Sequence, residues 1–161
     1  MKVILSDKDV SRIEAYSSTD VASISVWENN LKGSFVDINT GSDGNFKVIV
    51  CFNQPIENNE KKLIHKVEKG VILNIENKLY IGSTHWKDEN VEYLVSNNIV
   101  DEISLPAGKY IADICSLLVP NELNNGFYLQ IALCLYFENN YPDKSVEIHQ
   151  LTETLNLGYE Q

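Results

Sequence analysis

The chain has 161 residues, 43% of them hydrophobic and 22% charged, the mix of a folded soluble protein and not of a disordered tail. No apolar run approaches the roughly 18 residues that a membrane-spanning helix needs. Its net charge is −10 and sits entirely in one half: residues 88–161 hold 12 acids against Lys109 and Lys144, while residues 1–87 balance. Such a field repels nucleic acid and anionic membranes and attracts cationic partners, although solubility alone also explains acidity.

In chain order, Val3-Ile4-Leu5 predicts a short strand, and residues 10–16 fit either a helical turn or a strand. Residues 21–26 alternate with period two, the pattern of a half-buried strand. Between Phe35–Ile38 and Phe46–Phe52 lies Thr40-Gly41-Ser42-Asp43-Gly44, a cluster that predicts a hairpin loop. Residues 70–83 predict a second hairpin, with its turn at Glu76-Asn77-Lys78. Val91, Leu94 and Val95 share a face at helical spacing, so a helix is expected over 86–98, with Asp88, Glu89 and Glu92 at its positive end. Strands follow at 109–118 and 127–137. In the latter, Leu129, Ile131, Leu133, Leu135 and Phe137 take one face and Tyr128 to Tyr136 the other, which places it centrally between layers. Residues 145–149 supply a candidate last strand and the remainder reads as tail. The expected fold is one mainly β domain over 1–161, an antiparallel β-sandwich with one short helix.

Signatures of catalysis are weak. His65, His85 and His149 lie far apart, and Cys51, Cys115 and Cys134 form no metal or redox spacing. A Cys51–His85 pair across the fold stays open as a nucleophile, against the plainer reading of three buried thiols. The Gly41–Gly44 loop lacks the order of a phosphate loop; it reads as a plain connection or as a weak ion site. No cofactor and no metal is expected. The basic cluster Lys61, Lys62, His65, Lys66 and Lys69 reads as solvated, since the overall charge argues against nucleic acid. The start, MKVILSDKD, turns acidic before a signal-peptide region develops, so the cytoplasm is expected, which suits three unpaired cysteines.

Aromatic and acidic residues coincide near the predicted helix. Trp86, Asp88, Glu89, Glu92 and Tyr93, followed by Asp101 and Glu102, are candidates for a partner-binding surface, and Glu122 extends the set. Aromatic anchors concentrate interface energy while surrounding charges set capture rate and selectivity. Trp86 and Tyr93 can equally well cap the core. Two other classes remain: a ligand-binding or enzymatic sandwich with a pocket lined by Tyr110, Tyr128 or Tyr136, and a homodimer built through a sheet edge.

Leu105-Pro106-Ala107-Gly108-Lys109-Tyr110, Val119-Pro120-Asn121-Glu122, Tyr128 and Ile131 form an ordered set. Upstream of it come Gly33-Ser34-Phe35, Phe46–Asn53, Glu60-Lys61-Lys62 and the segment 71–83. In this order the chain resembles the DNA-entry nuclease inhibitors of bacterial competence (the competence protein J, or Nin, family), which themselves resemble toxin immunity proteins. The resemblance spans most of 33–137; the Gly41–Gly44 segment and the residues beyond 138 depart from it. It implies a cytosolic, non-enzymatic inhibitor whose partner is a cognate nuclease or toxin with a basic surface.

Overall fold

The computed structural model describes residues 2–4, 11–28, 35–76 and 78–158, with backbone alone at 2–4 and 35. Leu5, Val10, Gly33, Ser34 and Asn77, which enter the expectations above, lie outside the described residues. Among the described residues eleven strands form: β1 (Lys2–Ile4), β2 (Arg12–Thr19), β3 (Ser23–Trp27), β4 (Phe35–Asn39), β5 (Gly44–Phe52), β6 (Ile64–Ile75), β7 (Lys78–Ser83), β8 (Asp101–Ser104), β9 (Gly108–Asn121), β10 (Gly126–Phe137) and β11 (Leu155–Asn156). Two short helices, α1 (Asn58–Lys61) and α2 (Val91–Ser96), accompany them. One sheet has the order β1-β8-β7-β3-β4-β11 and the other β2-β5-β10-β9-β6.

The mainly β, two-sheet expectation holds, and of the ambiguous segment 10–16 the residues from Arg12 onward belong to a strand, β2. β10 is central, as its two apolar faces require. Its Ile131, Leu133 and Leu135 enter the core between the sheets, with Val48 and Val50 of β5, Ile24 and Val26 of β3, and Ile81 of β7. Its Ala132, Cys134 and Tyr136 face a second cluster, on the outside of the same sheet, with Ile56 and Tyr141. Each fully buried aliphatic side chain contributes about 1.5–3 kcal/mol.

Several local expectations are corrected. The sheets are mixed, because β1–β8, β5–β10 and β4–β11 pair in parallel. Neither predicted hairpin exists. β4 pairs with β3 whereas β5 pairs with β2 and β10, so the Thr40–Asp43 link crosses from one sheet to the other. β6 and β7 likewise belong to opposite sheets. The tight antiparallel hairpin is β9–β10, with Asn121 opposite Gly126 and Asn125 in the left-handed region at φ 57°. Residues 145–149 give only a bridge, His149 to Val71, and the last strand lies later, at β11.

A helix absent from the sequence reading, α1, is fixed by charge. The carboxylate of Glu60 accepts from its own capping position, Glu57 N (2.9 Å), and from both terminal nitrogens of Arg12 on β2 (2.6 and 2.7 Å). Charge-assisted, bidentate pairs of this kind are the strong ones. The hydrogen bonds from Arg12 hold Glu60 below the ordinary carboxylate range. A carboxyl depressed by folding adds stability at pH values above its unfolded value, and that contribution is lost as pH falls through the folded value. Arg12→Met is therefore expected to cost about 2 kcal/mol at neutral pH and to shrink the difference from wild type on acidification below about pH 4.5. Chemical denaturation at several pH values measures this; a constant difference across the acid limb would refute it.

Candidate functional site

The segment that follows β7 lies across the outer face of the β7–β3–β4 sheet. A 3₁₀ turn, Thr84–Trp86, opens it, and Thr84 Oγ1 bonds the hydroxyls of Ser23 (2.6 Å) and Ser25 (2.9 Å). Ser25 also donates a short bond to Asp37, whose other carboxylate oxygen accepts from Lys87 Nζ at 2.9 Å. Asn90 then caps α2, its side chain accepting from Tyr93 N at 3.2 Å. Asn98, at φ 55°, takes the left-handed conformation just beyond the helix, which asparagine tolerates. Val91 and Leu94 are buried beside Trp27, Tyr80 and Val100 in a third apolar cluster. Polar bonds at one end and an apolar seam at the other thus fix where Asp88, Glu89 and Glu92 stand.

These three carboxylates are exposed, and they form the continuous acidic part of the predicted site. Tyr93 is exposed as well, at 60%. Trp86 is half-buried, with its ring centroid 4.3 Å from that of His85, and it packs on the third cluster. Of the remaining predicted residues, Glu102 is brought to the same sheet face but beneath this segment, beside Tyr80, and Asp101 and Glu122 lie off it. Asp101 is half-buried at the start of β8. Glu102 is only 6% exposed, and its carboxylate lies 3.6 Å from Lys78 Nζ, so it serves its own sheet and leaves the docking set. Glu122 stands on the β9–β10 turn, in the other sheet. The acidic second half is also partly neutralised, since Lys109 reaches Glu138 (2.6 Å) and Lys69 reaches Asp143 (3.3 Å).

Cys51 is fully buried on β5, far in topology from His85; its register partners are Arg12 and Cys134. A bond from the Cys134 thiol, helped by the charge of Arg12, lowers Cys51 from the ordinary thiol value. Burial pushes Cys115 up to about 12. A buried thiol under Ile56 has no approach for a substrate. His85 meets both Ser83 Oγ (3.0 Å) and Asp20 Oδ1 (3.2 Å), but both address the same ring nitrogen, Nδ1. A proton relay needs the two partners on different nitrogens, and Ser83 is itself buried. Among the described residues no group of three metal-binding side chains assembles, and no helix is long and apolar enough to cross a membrane.

The pocket reading is corrected in place and in lining. Tyr110 is fully buried between the sheets, stacked on Phe137 with its hydroxyl donating to Pro106 O at 2.6 Å, and Tyr136 is buried in the second cluster. Tyr128 does line a groove of about 620 Å³, but the groove is at one end of the sandwich, between the Thr40–Asn45 link and the start of β10. Phe127 and Leu123, both exposed and both overlooked in the sequence, flank Tyr128 along the chain. Leu123 carried a legible signal, an apolar residue inside the polar turn Asn121–Asn125. Asp20 was not legible, because its neighbour His85 is brought to it only by the sheet.

The chain is similar in fold to the crystal structure of ComJ, inhibitor of the DNA degrading activity of NucA, from Bacillus subtilis. The match covers 78% of this chain and 94% of that one, at 11% identity and a TM-score of 0.51. It is also similar to Crocagin biosynthetic gene J, over 80% of this chain and 96% of that one, at 14% identity and a TM-score of 0.46. No family model and no curated protein matches the chain. At 11% identity the likeness to ComJ is one of fold, and as a likeness of fold it bears out the resemblance to the competence protein J family.

Proposed function

We propose that this chain is a non-enzymatic inhibitor that binds a nuclease, or a toxin with nuclease activity, and blocks access to its nucleic-acid cleft. The observation that carries the reading is the fold shared with ComJ, itself an inhibitor of a DNA-degrading enzyme. A cleft that binds nucleic acid is basic, and the exposed run Asp88, Glu89 and Glu92, beside Tyr93, offers the complementary charge with an aromatic contact. Steering by the net charge of −10 speeds encounter, and burial of the aromatic ring slows release. The partner is met in the cytoplasm, in keeping with the three free cysteines.

Titration of the purified chain into DNA-degradation assays tests this, with NucA-type nucleases and the nuclease domains of toxins encoded beside its gene as targets. Activity of the cognate enzyme is expected to fall linearly to a sharp break at equimolar inhibitor. Full activity of every such enzyme at about tenfold molar excess, a ratio that saturates any tight complex, refutes the reading.

A further inference from the structure

Four of the nine large hydrophobic residues exposed among the described side chains gather at one end of the sandwich: Val21, Leu123, Phe127 and Tyr128. The topology brings them there. Because β5 and β10 run parallel with Lys47 beside Gln130, the Thr40–Asp43 link and the β9–β10 turn emerge at the same end. The β2–β3 turn joins them, for Thr40 N donates to Ala22 O at 2.9 Å. Leu123 is 92% exposed, Phe127 56% and Tyr128 53%. Clustered aromatic exposure of this kind marks an interaction site more often than a solvated surface.

Among the described residues no lysine or arginine lines the groove, whereas Asp43 does. Asp20 and Glu122 are exposed on the two neighbouring turns. The nearest base on β5, Lys47, shares the outer sheet face with Tyr128 and is engaged by Glu14 at 2.9 Å. Both walls are held by side-chain bonds to backbone. Thr40 Oγ1 donates to Ser42 O (2.8 Å), Asn39 Oδ1 accepts from Gly41 N (2.8 Å), and Asn124 Oδ1 accepts from Gly126 N (2.9 Å). Gly158 backs the first wall: a Cβ there would stand 2.7 Å from Gly41 N. A preformed site loses less ordering entropy on binding.

An anionic groove with two exposed aromatic rings selects a cation that is also planar and weakly hydrated. Arginine meets all three demands: it pairs with a carboxylate through two parallel bonds and stacks on aromatic faces, which lysine does less well. At about 620 Å³ the groove has room for a short stretch of chain and not just one side chain. We infer that this groove docks an arginine-bearing segment of a partner protein, Asp43 receiving the guanidinium and Phe127 and Tyr128, on opposite faces of β10, stacking on the arginine and on its neighbours in the segment. The chemistry stands on the groove itself; that the partner is the inhibited nuclease rests on the function proposed above.

Titration of the full chain, followed by amide NMR shifts, with a capped (Gly-Arg)₃ peptide and its lysine and glutamate counterparts tests the inference. The arginine peptide is expected to move Asp43–Asn45 and Asn125–Tyr128. It should bind about threefold tighter than the lysine peptide, with no binding by the glutamate peptide. Asp43→Asn and Tyr128→Ala, both at exposed positions, should each weaken it about fivefold without changing the melting temperature. Shifts centred on Asp88–Glu92, equal binding of the glutamate peptide, or unchanged affinity of both variants overturns the assignment. So does concentration-dependent self-association that Tyr128→Ala abolishes, since the occupant is then a second copy of this chain. The nuclease assay separates the two proposals. Peptide binding at the groove without inhibition of any nuclease supports the groove and refutes the inhibitor reading. Undiminished inhibition by both variants refutes the groove as the interface and keeps that reading.

Discussion

Replacing Asp88, Glu89 and Glu92 together with lysine is expected to slow capture of the basic partner about 10- to 100-fold at low ionic strength and to flatten the salt dependence of the association rate. The three carboxylates are exposed on a segment whose position is set by other groups: Thr84 and Lys87 on one side, Val91 and Leu94 on the other. None of those anchors is touched, and Asn90 still caps α2. Placing cations near the positive end of a helix costs about 1 kcal/mol, a local loss that thermal unfolding registers separately. At physiological salt the screening length is about 8 Å, so the effect on the rate should contract as salt rises, while dissociation changes less. Stopped-flow association at low and high salt provides the measurement. Reversal of Glu76, Glu147 and Glu153 to lysine, three exposed acids outside this segment, makes the same change in net charge and controls for it. If the two triple variants associate alike, the acidic segment is not the steering surface.

What the sequence makes legible is periodicity along one strand; what it hides is which strand comes next in space. β10 announced its central position because apolar side chains alternate onto both of its faces, and each face met its own cluster. The links at 40–43 and 76–78 carry turn-forming residues, and turn chemistry reverses the chain without specifying a partner strand. In both cases the chain passes to the opposite sheet, so hairpins inferred from the turns were wrong while the strands were right. The same limit governs the site. Trp86 and Tyr93 look equivalent at helical spacing, but α2 starts only at Val91. Trp86 therefore belongs to the preceding 3₁₀ turn and packs inward, whereas Tyr93 points to solvent. Glu102 reads as one more surface acid until the overlying segment is in place, and Asp20 meets His85 only through the alignment of Ile24 with Ser83 between β3 and β7.

Gly70→Val is expected to destabilise the protein by about 3 kcal/mol, a fall in melting temperature of about 6–12 °C for a chain of this length. Gly70 lies in the β-bulge of β6 opposite β9, at φ 76°, a left-handed conformation that a β-branched residue adopts only under strain. A Cβ there would stand 2.8 Å from both Glu147 O and Val146 Cγ1. The contact is a clasp: His149 N donates to Gly70 O (2.8 Å), Ile72 N donates to His149 O (2.9 Å), and Gly70 N together with the Tyr141 hydroxyl reaches Asp113 Oδ1. Through it, Tyr141 and Val146 are pressed onto the outer cluster that contains Cys115 and Cys134. Forcing a side chain into the clasp pushes residues 141–149 off the sheet and uncovers those thiols. The substitution should therefore accelerate labelling of Cys115 and Cys134 by a thiol reagent under native conditions. Leu133→Ala, comparably destabilising through a cavity between the sheets, should leave that lid closed. Equal labelling rates for the two variants would mean that the thiols open by global unfolding, and that Gly70 does not hold the segment down.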